Sequence, residues 1–450
     1  MDLQVFREQL FTEGEKLGFS DLEIYYEKLS SFGCQIYEGE IDDYRSSTVN
    51  GVSARGIING KMGEAFTEKL DDASVSFLLH NMIENANISE DEPGELFDGK
   101  AEYEDLNFFS PTLSEVTIEE KIEFLKQVEK HIYDYDPRVV QTGYAAIQDQ
   151  LIEKALFNNK GLELNDKNNF LFFVFSVVVK ENDETKSDYY FKIVDDFSSV
   201  DPRHIAKEAC EKSLRLLGGK SYPNKSYPVI LESNTACELL AVFTPAFSAK
   251  SVQDDQSRLK DKLNTTITAD VLTLQDNPHL TNGIRSSTFD SEGVPTKPLT
   301  VVENGVLKTY FHNLKTAKKD GVKSTGHGHK LSYRDPIGVR PSNFYVVPSE
   351  VSKEELYSDL KEGIIITSLS GLHSGANSIS GDFSLAAEGF YVKNGKIASP
   401  TNKMTIAGNF FDLLKDVEKV ASDLEFSPMD FYGYIGSPSL KIKELAVTID

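Results

Sequence analysis

Val52-Ser53-Ala54-Arg55-Gly56-Ile57-Ile58 and Lys61-Met62-Gly63-Glu64-Ala65-Phe66-Thr67 are two strand-like runs joined by Asn59-Gly60 alone. Both positions of a type I′ turn need positive φ, which Asn and Gly tolerate, so the runs read as an antiparallel hairpin. The same dipeptide recurs at Asn304-Gly305, between 298–303 and 306–311, and at Asn394-Gly395, between 390–393 and 396–397. Antiparallel β structure is therefore expected in both halves and dominates after residue 228. The most apolar run, 170–179, is about half the ~20 residues a membrane helix requires and reads as a buried strand.

Helices punctuate these strands. Leu3, Phe6, Leu10 and Leu17 recur at helical spacing and predict an opening amphipathic helix. Thr117 with Glu120 is a capping-box pattern, and Ile118, Ile122, Leu125, Val128 and Ile132 trace the buried face of a helix over 118–133. Asp201-Pro202 starts another, with Ala206, Cys210, Leu214 and Leu217 as its stripe and Gly218-Gly219 as its stop. The segment 235–247 is helical until Pro245, and Ser352 with Glu355 opens a short helix.

These patterns predict an α+β chain with an α/β region over 1–220 and a β-rich, mainly antiparallel domain over 221–450. Within the first region a linker is expected near 87–116, around the acidic Ser89-Glu90-Asp91-Glu92-Pro93-Gly94-Glu95. The polar 219–228, which contains Pro223 and Pro228, reads as the connection between the two.

Composition narrows the function. The 450 residues carry 47 Lys and Arg against 71 Asp and Glu, a net charge of −24. Such a field repels phosphate backbones and anionic headgroups, so neither nucleic acid nor a membrane is an expected partner. Cys34, Cys210 and Cys237 are widely spaced and form no Cys-x-x-Cys, which indicates neither a disulfide framework nor a zinc knuckle. The first residues show no basic and apolar leader, so a cytoplasmic protein is expected.

Candidate chemistry clusters between residues 276 and 384. Asp290 and Glu292 flank Ser291 and precede Gly293, a pattern that fits either a turn or a paired acid and base. Ser324-Thr325-Gly326-His327 leads to His329, and histidines two apart share a face if the chain is extended, although two ligands do not make a metal site. Ser380-Gly381-Asp382-Phe383-Ser384 offers backbone amides to a carbonyl, or merely a self-satisfied turn. No His-Glu-x-x-His, His-Glu-x-x-x-His, Gly-x-Ser-x-Gly or Gly-x-x-x-x-Gly-Lys-Ser/Thr occurs.

Together these segments resemble the TldD/PmbA family, once described as modulators of DNA gyrase and now regarded as metallopeptidase-related. The resemblance runs through Asn50–Gly56, Gly63–Thr67, Phe157–Leu164, Phe289–Gly293, Lys323–His327, Ser380–Ser384, Gly389-Phe390, Asn394-Gly395 and Thr405–Asn409. It implies a TldE (PmbA)-like member, the branch without the zinc motif. In register with Leu239-Leu240, Ala241, Val242 and Ala246 stand where TldD has His, Glu and His, and Phe431-Tyr432-Gly433-Tyr434-Ile435-Gly436 has no Cys where TldD has its distant ligand.

The resemblance implies a dimer. A TldD-type partner would supply zinc, and this chain, with no metal or other cofactor of its own, would help enclose a cavity that admits unfolded peptides. Activities known in such pairs are maturation of a peptide antibiotic precursor and degradation of a small antitoxin. The loops 290–293, 324–329 and 380–384 are expected to face one cavity, with Asp290, Glu292, Gly293, Ser324, Thr325, Gly326, His327, His329, Ser380, Gly381, Asp382 and Ser384 as peptide-binding candidates; no catalytic residue is assigned. Two readings stand beside it: a self-sufficient homodimeric hydrolase with a divergent site around these residues, and a non-enzymatic peptide-binding regulator.

Overall fold

The computed structural model of the chain describes residues 1–89, 95–194, 196–429 and 433–450. The acidic 90–94 and Phe431-Tyr432 lie outside the described residues. The opening helix, Leu3–Lys16, is capped by Asp2, whose carboxylate accepts from the Gln4 amide. Phe6 and Leu10 are buried, but Leu17 falls past the helix end beside Gly18, which has φ +95, and is exposed.

Six strands then form one antiparallel sheet: β1 (Phe19–Tyr37), β2 (Glu40–Ile58), β3 (Lys61–Thr67), β4 (Val139–Asn158), β5 (Glu163–Glu181) and β6 (Glu184–Val194), in the order β3-β2-β1-β4-β5-β6. The β2–β3 turn has φ 52 at Asn59 and 73 at Gly60, as type I′ geometry requires. The turn between β1 and β2 left no comparable sequence signal, because Glu38 holds a positive φ that few side chains tolerate. The buried carboxylate of Glu129 stabilises it by accepting from the Glu38 and Gly39 amides at 3.0 and 2.7 Å.

The apolar run in β5 uses both faces of the sheet. Leu171, Phe173, Phe175, Val177 and Val179 pack into a core with the helices Ile118–Tyr133 and Pro202–Leu214. Phe170, Phe172 and Val174 point the other way and line a cavity. Strands buried on one face and cavity-lining on the other read as continuous apolar sequence.

In the second half, β7 (Lys225–Leu231) begins inside the segment read as a connection. Pro228 is tolerated there because the pairing of β7 with Leu440–Ile449 shifts register between Ile442 and Leu445, where no ladder donor is needed. Glu362–Ser370, β7, Leu440–Ile449, Met404–Asn409 and Asp382–Lys393 pair successively, and the first also pairs with the last, closing the sheet on itself. A second, six-stranded sheet includes Leu274–Asp276, Leu299–Glu303, Asn343–Val346 and Gly433–Ser437. The helix Ser233–Phe243 contributes Ala236, Leu239, Leu240, Ala241, Val242 and Phe243 to the largest core.

Candidate functional site

Arg55, on the strand quoted first, is where the two halves meet. It stands opposite Glu23 across the β1–β2 ladder, and its Nε donates to Glu23 Oε1 at 2.6 Å while Nη1 reaches Glu292 Oε1 at 3.4 Å. Glu292 Oε2 accepts from the Leu314 amide at 2.7 Å, at the start of the helix Leu314–Asp320. Burial pushes both glutamates up, and the Arg55 guanidinium pulls each back toward ionisation. Around this triad Lys330 pairs with Glu64, and Tyr103 donates to the Gly293 carbonyl at 2.7 Å. Gly51 lies so close to Tyr333 that a Cβ there would sit 2.2 Å from the ring, so β2 must carry glycine at that point.

The loop 290–293 is thus a docking loop. Asp290 Oδ1 accepts from the amides of Glu292 and Val294 at 2.9 and 3.0 Å, and Oδ2 from Gly328 at 2.8 Å. Burial and the neighbouring Glu292 push its carboxyl well up, against the pull of these three amides. Gly293 has φ +80 and abuts Leu156 and Leu162 of the first half. Neither carboxylate has an oxygen left over for acid and base work, so the turn reading describes Asp290 and Glu292 better than the catalytic one.

His327 is built into the core. Its Nε2 is 3.1 Å from Asp276 Oδ2, its Nδ1 2.8 Å from Thr325 Oγ1, and its ring lies 4.5 Å from that of Phe311. Both nitrogens are thus engaged by its neighbours, while the residue lines the small cavity that also holds His329. Ser324 and Thr325 donate to the His312 carbonyl, and Gly326 holds φ +75 against Pro295 and Thr296. His329 does line a cavity of about 90 Å³, with Tyr25, Lys154, Asp166, Arg285 and Ser291. Its Nε2 meets Arg285 Nη1 at 3.2 Å; burial, Arg285, Lys154 and Arg340 hold the imidazole well below its usual pKa and therefore neutral.

The third loop lies elsewhere. Ser380, Gly381, Asp382 and Ser384 form a turn entering Asp382–Lys393, where Asn409 donates to the Ser380 carbonyl and the Asp382 carboxylate at 2.9 Å each, and Arg258 donates to the Ser380 carbonyl at 3.0 Å. None of these residues lines the 90 Å³ cavity with Asp290, Ser291, Gly326, His327 and His329. The three loops are small, polar and alike in sequence because each is a turn, and that likeness does not fix their relative position.

Sequence reasoning missed a larger cavity, about 370 Å³, between the β4–β6 face and the helix Ser233–Phe243. Gln148, Phe172, Tyr189, Phe191, Glu238 and Phe426 are among its walls. Tyr189 donates to Glu238 Oε1 at 2.9 Å, and burial pushes the Glu238 carboxyl up to about 7. A polar space of about 640 Å³ adjoins it through Phe191, Lys212, Asn234, Glu425 and Phe426. The available signal was a carboxylate in the middle of an otherwise apolar helix, Thr235-Ala236-Cys237-Glu238-Leu239-Leu240.

Zinc does not fit the same helix. Ala241, Val242 and Ala246 are buried among Leu, Phe and Tyr side chains and offer no donor atom. Cys237, one turn earlier, is buried with its thiol directed at the Glu425 and Ser437 carbonyls, and burial pushes its pKa up, away from thiolate. Among the described residues no three His, Cys, Asp or Glu side chains are grouped to hold a metal ion, and no helix is long and apolar enough to cross a membrane.

A long-stranded antiparallel sheet, docked through Arg55 and the 290–293 loop onto a closed mixed sheet, defines a mixed α/β protein. The chain belongs to the PmbA/TldD metallopeptidase family: residues 22–86 match PmbA/TldA metallopeptidase domain 1, 111–217 the central domain and 224–449 the C-terminal domain. It is 25% identical over 426 residues to metalloprotease PmbA of Escherichia coli O157:H7, across 93% of this chain and 91% of that protein. A Thermotoga maritima structure described as a candidate modulator of a DNA gyrase is 31% identical, with a TM-score of 0.92 over 99% of this chain and 100% of that one. TldE from Thermococcus kodakarensis shares the fold at 21% identity, with a TM-score of 0.89 over 98% of this chain and all of that one.

Proposed function

We propose that this chain is the zinc-motif-lacking, TldE-like subunit of a cytoplasmic two-component peptidase acting on unfolded peptides or small proteins. One observation supports it above the others: Ala241 and Val242 on the helix Ser233–Phe243, and Ala246 on the 3-10 turn Thr244–Phe247 that continues it, are core residues without a donor atom where the family's resemblance sets its metal ligands. A chain with this family's fold and no ligands there serves by shaping the cavity and binding peptide, and the catalytic metal resides in a TldD-type partner.

In this reading an extended peptide lies in the cavities between the β4–β6 face and the second half, held by backbone hydrogen bonds and by Gln148, Gln150 and Asn234. The loops 290–293 and 324–329 act at one remove, by fixing the sheet that forms the wall. The test is to purify the native protein with its companions, identify any His-Glu-x-x-x-His chain, and measure zinc and peptide cleavage for each chain and for the pair. Zinc and cleavage that depend on the partner are expected. Cleavage by this chain alone, in proportion to a metal it retains, would overturn the proposal.

A further inference from the structure

We propose that the cavity beside the helix Ser233–Phe243 receives an ammonium group of the bound peptide, with Glu238 as its counter-charge. This rests on the peptide-binding reading above and adds what the cavity selects. Glu238 Oε2 is a buried carboxylate oxygen with no hydrogen-bond partner among the described residues, although Oε1 is engaged by Tyr189. A buried unpaired acceptor is costly, and a donor brought by a ligand would remove that cost.

The walls favour a cation over other occupants. Phe172 and Phe191, with centroids 5.3 Å apart, and Phe426 line the cavity, and aromatic rings attract ammonium groups. Glu425 is a second carboxylate on the wall, with one oxygen accepting from Ser233 at 2.9 Å. Among the described residues of the wall the cation is Lys212, whose Nζ lies over the Tyr190 ring at 5.8 Å and whose charge acts on Glu238 without hydrogen-bonding Oε2. An anion would meet two carboxylates, and an apolar group would leave Glu238 Oε2 unpaired. At about 370 Å³ the space accommodates a long side chain or a chain end.

A lysine side chain and a peptide's α-amino end carry the same ammonium, and three short Ala/Gly/Ser peptides separate them. One is N-acetylated with a single Lys, one is its Nε-acetyl-lysine twin, and one has a free amino end and no Lys. Binding to the full chain is measured by titration calorimetry, with and without Glu238→Gln. One of the two ammonium-bearing peptides is expected to bind about tenfold more tightly than the fully acetylated twin, and which one does so names the source. Glu238→Gln is expected to abolish the preference. Equal binding of all three, or a preference that survives Glu238→Gln, overturns the ammonium site and leaves the peptide reading standing. Failure of every peptide to bind overturns both. The wild-type series discriminates by itself even if the variant fails to fold.

Discussion

Replacing Arg55 with Met removes the cation that lies between two buried carboxylates. The Arg55 side chain is 10% exposed, and those of Glu23 and Glu292 are 2% and 3%, so solvent cannot take its place. Two charge-assisted contacts, at 2.6 and 3.4 Å, contribute about 1.5–3 kcal/mol each, and the buried Met methylenes return about 1–2 kcal/mol. The net loss is about 1–5 kcal/mol, and the two carboxylates left buried without their cation place it toward the upper end, near the ~3–5 kcal/mol usual for removing one partner from a buried pair.

The pH dependence follows in sign. Without Arg55, both glutamates have folded-state pKa values raised above the ordinary 4.5, so they are protonated in the folded chain and ionised in the unfolded one. The penalty is therefore small below pH 4.5 and grows as pH rises toward the folded value. The chain has no Trp and 19 Tyr, which makes near-ultraviolet tyrosine dichroism the probe for urea titrations at pH 5 and pH 8. The first transition should fall most at pH 8, and adding Glu23→Gln and Glu292→Gln to Arg55→Met should restore much of the loss. A loss below about 1 kcal/mol at pH 8, or one identical at both pH values, would refute the role of Arg55 as the clamp between the halves.

His327→Ala should cost about 2–4 kcal/mol in the same titration, because it opens a buried site against Phe311 and removes the imidazole contacts of Asp276 Oδ2 and Thr325 Oγ1; an unchanged midpoint would refute a structural role for His327. Glu238→Gln should stabilise the unliganded chain above pH 7 by at most roughly 3 kcal/mol and not at all below pH 4.5, since a folded pKa raised to about 7 destabilises as pH climbs through that window; a flat difference across the range would count against burial as the cause. Metal analysis of the isolated chain after dialysis against a mild chelator should find no stoichiometric zinc, and one retained zinc per chain would contradict the donor-free helix. Limited proteolysis should cut within 219–224 before it reaches β7, and protection of that stretch would remove the evidence for an exposed connection there.

Local signals in the sequence carried much of the fold because their physics is local. Asn59-Gly60, Asn304-Gly305 and Asn394-Gly395 each take positive φ at both positions, and the Thr117 and Ser352 capping boxes close as their spacing implies. The β1–β2 turn was illegible because Glu129, some 90 residues away, holds Glu38 in its conformation. The extent of β7 was obscured by Pro228, which ordinarily argues against a central strand and is admitted here only by a bulge in the facing strand.

The site was legible as residues and not as roles, for a related reason. A carboxylate that performs chemistry and one that organises a loop look the same in sequence; what separates them is whether their oxygens are already spent on backbone amides, and Asp290 has three such amides. Arg55 and Glu292 are 237 positions apart, and each lies within a segment read as family-like on its own terms. Their contact explains why both segments carry closely fitted small residues: Gly51 yields to Tyr333, Gly293 to Leu162, and Gly328 to Glu292. The family wording in 290–293 and 324–329 is thus the wording of a joint that sets the sheet wall in place, and the cavity that this wall bounds carries its distinctive charge on Glu238, one turn before the positions where a metal would have been sought.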